Sequence, residues 1–138
     1  MKIQSNTETF RNAQEEVYDT LVNFTKRIQV PAVPQISNWS VTDDTCSFTL
    51  NGMITCQLRL TEQIPYSKVC YHIDTDKRIA ADAVVNIAPA GEGSTVQVEA
   101  EADVPFFMQA LIKGPVEQAL NQAISKIKEM AERGEYGI

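Results

Sequence analysis

The chain has 138 residues, which is the size of one ordinary domain, and we treat residues 1–138 as a single unit. Its 43% apolar and 22% charged residues are typical of a globular protein. The formal net charge is −6, and the basic runs Lys26-Arg27 and Lys77-Arg78 are short. This pattern argues against nucleic acid and anionic membranes as partners, because both select clustered Lys and Arg.

The lack of a visible targeting signal and the cysteine usage lead us to expect a cytoplasmic protein. The first ten residues contain no apolar stretch of the kind that a secretory signal needs. No run approaches the roughly 18 apolar residues of a membrane span, so we expect no stable membrane anchor. The three cysteines, Cys46, Cys56 and Cys70, have no motif spacing, and buried free thiols in a reducing compartment are the simplest interpretation.

The N-terminal segment alternates weakly and is rich in Thr, which predicts a strand over residues 2–10. Asn12 is followed three positions later by Glu15, as in a capping box. We therefore expect a short helix over residues 13–23, with a bent continuation to Gln29 left open. A loop should follow, opened by two prolines, Pro31 and Pro34.

A period of two takes over from residue 35 to residue 103 and predicts a series of antiparallel strands joined by short turns. One face of these strands is apolar and the other is charged or hydroxyl-bearing, which indicates a sheet that is solvated outside and covered inside. The alternation assigns Phe48 and Tyr71 to the inner face. It places His72, the single histidine, on the outer face.

The Asn51-Gly52 pair is a strong hairpin signal, but parity constrains the turn. A two-residue loop would pair Leu50 with Met53 and send the apolar residues of the two strands to opposite faces. The apolar sets agree if Leu50 pairs with Ile54. We therefore predict a three-residue connection or a bulge, which also places Cys46 and Cys56 diagonally and disfavours a disulfide between them.

The last third of the chain predicts a long helix, because apolar residues recur at steps of three and four from Val116 to Ala131. Pro115 lacks an N–H and crowds the carbonyl four residues before it. We therefore expect a short apolar segment over residues 106–113, a break at Gly114-Pro115, and a helix over residues 115–133.

Three stretches carry a resemblance to a known family. Residues 58–69 (LRLTEQIPYSKV) look like a strand, a Glu-x-x-Pro turn and a second strand; residues 91–96 (GEGSTV) look like a Gly-x-x-Thr hairpin; residues 111–130 look like a closing helix. In this order they resemble the START-like or Bet v 1-like superfamily, also called SRPBCC or the polyketide cyclase/dehydrase and lipid-transport group. The resemblance implies an α+β helix-grip fold: a curved antiparallel seven-stranded sheet wraps a long C-terminal helix, with one or two short helices after strand 1.

In such families a cavity between sheet and helix holds an apolar small molecule. The resemblance therefore implies a hydrophobic small molecule or lipid as partner, bound without a cofactor, and it leaves room for a protein partner. Gly114-Pro115 would act as a hinge for a gate over residues 106–115. The implied lining consists of Phe48, Leu58, Tyr71, Val85, Val98, Phe106, Phe107, Leu111 and Leu120.

Catalytic groups are sparse. His72 lies on the outer face by parity, and no metal spacing or phosphate-binding Gly-rich loop is present in the sequence. We therefore expect a non-catalytic ligand-binding protein with Tyr71 as the best polar group for orienting a ligand. Two alternatives stay open: a cyclase- or hydrolase-like enzyme that uses the same cavity, and a co-chaperone-like interaction module with a collapsed cavity.

Overall fold

The computed structural model describes residues 1–23, 36–42 and 45–133, which form an α+β structure. Its curved, open sheet has the order β1-β8-β7-β6-β5-β4-β3, with β2 also paired to β8, and all pairs are antiparallel. This confirms the predicted meander and the closing helix. The elements are β1 Lys2–Gln4, β2 Glu8–Phe10, α1 Gln14–Asn23, β3 Ile36–Thr42, β4 Thr45–Leu50, β5 Ile54–Ile64, β6 Lys68–Thr75, β7 Ala80–Ala90, β8 Gly93–Ala102 and α2 Phe106–Glu132.

The N-terminal strand is divided in two, contrary to the prediction of one strand over residues 2–10. Ile3 pairs with Ala100, whereas Glu8 pairs with Val96. From Ile3 to Glu8 the N-terminal segment advances five residues, while β8 advances four from Ala100 to Val96. The extra residue is a bulge, and it reverses which side of the segment faces inward. Ser5 anchors the bulge, because its side-chain oxygen accepts a 2.9 Å hydrogen bond from a β8 backbone N–H.

Helix α1 is confirmed, but the capping box predicted for Asn12 and Glu15 is wrong. The Asn12 side-chain amide donates instead to the Glu16 carboxylate at 2.6 Å and to the Ala131 carbonyl at 2.9 Å. The second bond explains the difference, since Asn12 is used to tie the start of α1 to the end of α2. Three predictions lie outside the described residues: the continuation to Gln29, the loop at Pro31 and Pro34, and the turn at Asp43-Asp44.

The β4–β5 hairpin follows the parity argument. Leu50 pairs with Ile54 across a three-residue connection, and the Met53 N–H donates to the Leu50 carbonyl at 3.0 Å. Asn51 and Gly52 both have positive φ, which Asn and Gly tolerate better than other residues. The three cysteines are free thiols, as predicted.

Helix α2 runs without interruption through Pro115, so the predicted break at Gly114-Pro115 is wrong. Proline in a helix interior removes one hydrogen bond, that to the carbonyl of Leu111. Both Leu111 and Pro115 are exposed, so the carbonyl that loses its donor lies on the solvent side, where water can satisfy it. Exposure therefore lowers the penalty on which the prediction of a break rested.

The buried core lies between β6–β8, α1 and the C-terminal half of α2. It combines Val69 and Val96 of the sheet with Val17 of α1 and Ile124 of α2, all of which are fully buried. Helix α1 therefore covers the sheet together with α2. No helix in the described part of the chain is long and apolar enough to cross a membrane.

Candidate functional site

The inner face of the sheet is unevenly covered. Toward β7 and β8, inward-facing side chains such as Val85 and Val98 are buried under α1 and the end of α2. On β3, β4 and β5 the inner face is mixed: Cys46, Cys56 and Leu58 are buried, whereas Val41, Phe48 and Leu60 are only half-buried, although they pack against the core. The less covered end of the inner face is therefore an apolar surface that the described residues do not fully enclose.

An aromatic pair forms the floor at this end. The rings of Trp39 on β3 and Phe48 on β4 stack with centroids 5.8 Å apart and planes inclined by 21°. A register shift between Ser37 and Ser40, together with a positive φ at Asn38, lets Ile36, which pairs with Leu50, share a face with Val41, which pairs with Cys46. The sequence leaves the side of Trp39 undecided because a bulge changes the parity of every later residue in a strand.

The first half of α2 is also poorly covered by the rest of the described chain. None of residues 106–123 is buried, whereas the second half of the helix buries Ile124, Ile127, Met130 and Ala131. In the described part of the chain, α2 makes its main contacts with α1, β1, β2 and β8. The helix is thus anchored at its C-terminal half, and its N-terminal half carries half-buried apolar side chains: Met108, Ile112, Val116 and Leu120.

The nine side chains predicted to line a cavity fall into three groups. Leu58, Tyr71, Val85 and Val98 are buried on the inner face of the sheet, and Phe48 and Leu120 are half-buried beside them. Phe106, Phe107 and Leu111 are 89%, 79% and 76% exposed. The structure thus brings the first six together, and the lining of a cavity by any of the nine stays a prediction.

The Tyr71 hydroxyl, which the sequence suggested as the polar group that orients a ligand, is bonded within the protein. It donates a 2.6 Å hydrogen bond to the Leu21 carbonyl at the end of α1. Burial raises the pKa of the phenol above its usual value, so the hydroxyl stays protonated. Tyr71 therefore holds α1 to the sheet, and its donor proton is already in use.

The buried thiols on the inner face, Cys46 and Cys56, stay protonated and unreactive. Burial raises the pKa of Cys46 to about 12 and that of Cys56 to about 11. A thiol reacts as a thiolate, so neither group is a nucleophile at neutral pH. Like the neutral Tyr71 phenol, these two thiols do not exchange a proton near pH 7.

His72 lies on the outer face of β6, as predicted, and cannot reach the inner face. Its Nδ1 is 2.8 Å from an Asp82 carboxylate oxygen, and its Nε2 is 3.0 Å from an Asp74 carboxylate oxygen. The Asp82 contact, followed by the Asp74 contact, raises the pKa of His72 above its usual value. This favours a charged imidazolium that joins neighbouring strands on the solvated side.

A surface depression of about 660 Å³ lies at the end of α2 beside the β7–β8 turn. Three of its charged side chains are in ion pairs: Arg11 approaches Glu132 at 3.3 Å, and Lys128 approaches Glu8 at 3.8 Å. The described residues contain no group of three or more His, Cys, Asp or Glu side chains placed to hold a metal ion. The apolar end of the inner face is therefore the better candidate site.

No family model matches the chain, and no curated protein matches it in sequence. Solved structures match its fold. A structure from Thermus thermophilus is 11% identical, with a TM-score of 0.75 over 97% of this chain and 99% of the other. A START superfamily protein from Mycobacterium smegmatis is 10% identical, with a TM-score of 0.71 over 96% and 97%.

A third structure, DynU16 from the dynemicin biosynthetic locus, is 11% identical, with a TM-score of 0.61. The match covers 96% of this chain and 48% of DynU16. Identities of this size establish the fold alone. The chain has the START-like, or Bet v 1-like (SRPBCC), fold that its motifs had indicated.

Proposed function

We propose that this START-like chain binds an apolar small molecule or lipid between the inner face of β3–β5 and the first half of α2, without catalysis. The observation that carries the proposal is the unequal burial of α2. A stable protein interior packs without gaps, yet eighteen successive helical residues, 106–123, contain no buried side chain. An apolar ligand would cover the half-buried side chains that face this space.

The energy available from such burial is sufficient for useful affinity. A ligand that removes about 300 Å² of apolar surface from water gains about 7 kcal/mol before the costs of association. The floor is apolar and aromatic, through Phe48 and Trp39, so a hydrocarbon chain or a fused ring system would suit it. A ligand with many polar groups would leave them unpaired there.

The absence of catalysis is proposed from the chemistry of the inner face. The titratable side chains that the structure describes as buried on this face, Cys46, Cys56 and Tyr71, are all held neutral by burial. Acid–base catalysis needs a group whose pKa lies near the working pH. An enzyme of the cyclase or hydrolase class would need such a group, so we favour a binding protein, and we expect it in the cytoplasm.

Two structural neighbours are consistent with a small-molecule role. One is named as a START superfamily protein, and another is a protein in the dynemicin biosynthetic locus. The second neighbour keeps the cyclase-like alternative open. The interaction-module alternative is favoured by a separate observation, the exposure of Phe106, Phe107 and Leu111.

The test uses the single tryptophan as the reporter. Phenylnaphthylamine and oleate would be titrated into the full chain while the emission of Trp39 is followed. We expect a saturable change, because Trp39 lies in the proposed floor. Val116→Phe, which adds bulk to a half-buried position of α2, should weaken binding about 10-fold or more, a difference of about 1.4 kcal/mol.

The matched control is Gln118→Phe, which adds a comparable ring at an exposed position of the same helix and should leave the affinity unchanged. No saturable change with either probe would contradict the proposal. Equal effects of both variants would contradict the assigned position of the ligand.

A further inference from the structure

The outer side of the first half of α2 carries an apolar surface that no other described residue covers. In a helix, residues four apart lie in one row, so Phe106, Ala110 and Gly114 form one row and Phe107, Leu111 and Pro115 form the next. All six are exposed and uncharged. We call these six residues the outer patch; it extends about 14 Å along the helix.

Gly114 is the most informative residue of the outer patch. A Cβ atom at this position would meet no atom within 4 Å, so no contact within the described part of the chain requires glycine. Its φ is not in the positive region, so the backbone does not require it either. Glycine disfavours a helix interior, whereas it permits a second helix to approach closely.

The shape of the outer patch fits a second copy of itself. Large side chains, Phe107 and Leu111, stand beside small ones, Ala110 and Gly114, at spacings of three. Two antiparallel copies related by a twofold axis near Ala110 and Leu111 would place Phe107 opposite Gly114 and Leu111 opposite Ala110. Knobs and grooves on one surface make it self-complementary, as a twofold interface requires.

The exposed area is adequate for such a contact. Phenylalanine can bury roughly 150–250 Å², so the exposed parts of Phe106 and Phe107, with Leu111 and Pro115, supply about 500–600 Å² per copy. Two copies would bury about 1,000–1,200 Å², at the lower end of specific interfaces. This area predicts a weak, reversible dimer.

Charge favours a second copy over a membrane. Residues 105–116 contain a single charged side chain, Lys113, so two copies bring no cluster of like charges together. An anionic bilayer would repel a chain of net charge −6, and Lys113 alone would supply attraction at the patch. We infer that the outer patch of α2 is a homodimer interface in which two helices pack antiparallel, an inference that does not depend on the proposed ligand.

Sedimentation velocity on the full chain, from low to several hundred micromolar, tests the inference. We expect a monomer–dimer equilibrium whose dissociation constant rises about 30-fold or more in Phe107→Glu and in Leu111→Glu, since each places a carboxylate in an apolar contact. Met53→Glu is the matched control, because Met53 is 68% exposed in the β4–β5 turn, and this variant should dimerise as the parent does. A parent chain that stays monomeric throughout, or a dimer indifferent to both variants, would overturn the inference.

A cross-linking variant tests the arrangement independently of any destabilised mutant. Ala110→Cys places a thiol near the proposed axis, where two copies come within disulfide distance. Mild oxidation should yield a covalent dimer, and adding Phe107→Glu should abolish it. If the parent chain dimerises but the Ala110→Cys variant does not cross-link, antiparallel packing is contradicted. If instead the monomer binds phosphatidylcholine vesicles through Phe107, the outer patch is a membrane contact and not a dimer interface.

Discussion

The hydroxyl of Tyr71, in the middle of the sheet, donates a 2.6 Å hydrogen bond to the carbonyl oxygen of Leu21 in the last turn of α1. The bond joins residues fifty positions apart in sequence and lies in the buried core. It therefore fixes how α1 lies on the sheet.

Removal of this hydroxyl should therefore destabilise the fold without greatly affecting ligand binding. Tyr71→Phe leaves the Leu21 carbonyl without this donor, and we expect the free energy of unfolding to fall by about 1–2 kcal/mol. Urea denaturation followed by circular dichroism measures the change. Tyr66→Phe, at an exposed turn position, should shift it by less than about 0.5 kcal/mol. An unchanged stability in Tyr71→Phe would show that the bond is replaced by water.

The pairing of His72 with Asp82 and Asp74 predicts a pH dependence with a definite sign. Because the folded state raises the pKa of His72, its stabilisation is complete below the unfolded pKa of about 6.5. Stability should then fall as the pH rises through the folded pKa. An NMR titration of the single histidine should give a pKa above 6.5, and Asp82→Asn should lower it. A pKa that is unchanged in Asp82→Asn, or that falls equally in Asp103→Asn, would contradict the assignment.

The thiols should be nearly inert in the folded protein. Burial raises the pKa of Cys46 to about 12 and that of Cys56 to about 11, so thiolate is scarce at pH 8. Burial is also the main cause of the raised pKa of Cys70. We expect slow reaction with Ellman's reagent in buffer and release of three equivalents in denaturant, matching the three cysteines. Fast reaction of one thiol in the native state would reopen the enzymatic alternative.

Two glycines should respond oppositely to alanine. Gly114→Ala places a Cβ in open space within a helix and should stabilise the monomer by about 0.5–1 kcal/mol, measured at low protein concentration. Gly93→Ala, at the start of β8, places a Cβ against the carbonyl oxygen of Phe10 and should destabilise the fold. Equal thermal midpoints for the two variants would contradict these placements.

The sequence predicts much of the sheet because its information is local and periodic. The pairing of Leu50 with Ile54 follows from parity alone and is confirmed. The same logic separates the inward-facing Tyr71 from the outward-facing His72. Because successive residues of a strand point alternately to solvent and to the core, the period of two determines which face each side chain occupies.

Long-range contacts and bulges could not be predicted from the sequence, for physical reasons. The contact of Asn12 with Ala131 joins the two ends of the chain, so the local capping pattern could not reveal it. The continuity of α2 through Pro115 depends on solvent exposure of the carbonyl at Leu111, which the sequence does not state. The bulge between Ser37 and Ser40, which lets Ile36 share a face with Val41, is not indicated by any single residue type.

The position of an apolar ligand is most directly tested by methyl NMR on the full chain during titration with oleate. We predict saturable shifts of the methyl groups that face the proposed space, on Val41, Leu60, Val116 and Leu120, with little change at Val96 in the closed core and at Leu111 on the outer side. Shifts confined to Leu111, or none at saturating oleate, would contradict a ligand site between the sheet and the first half of α2.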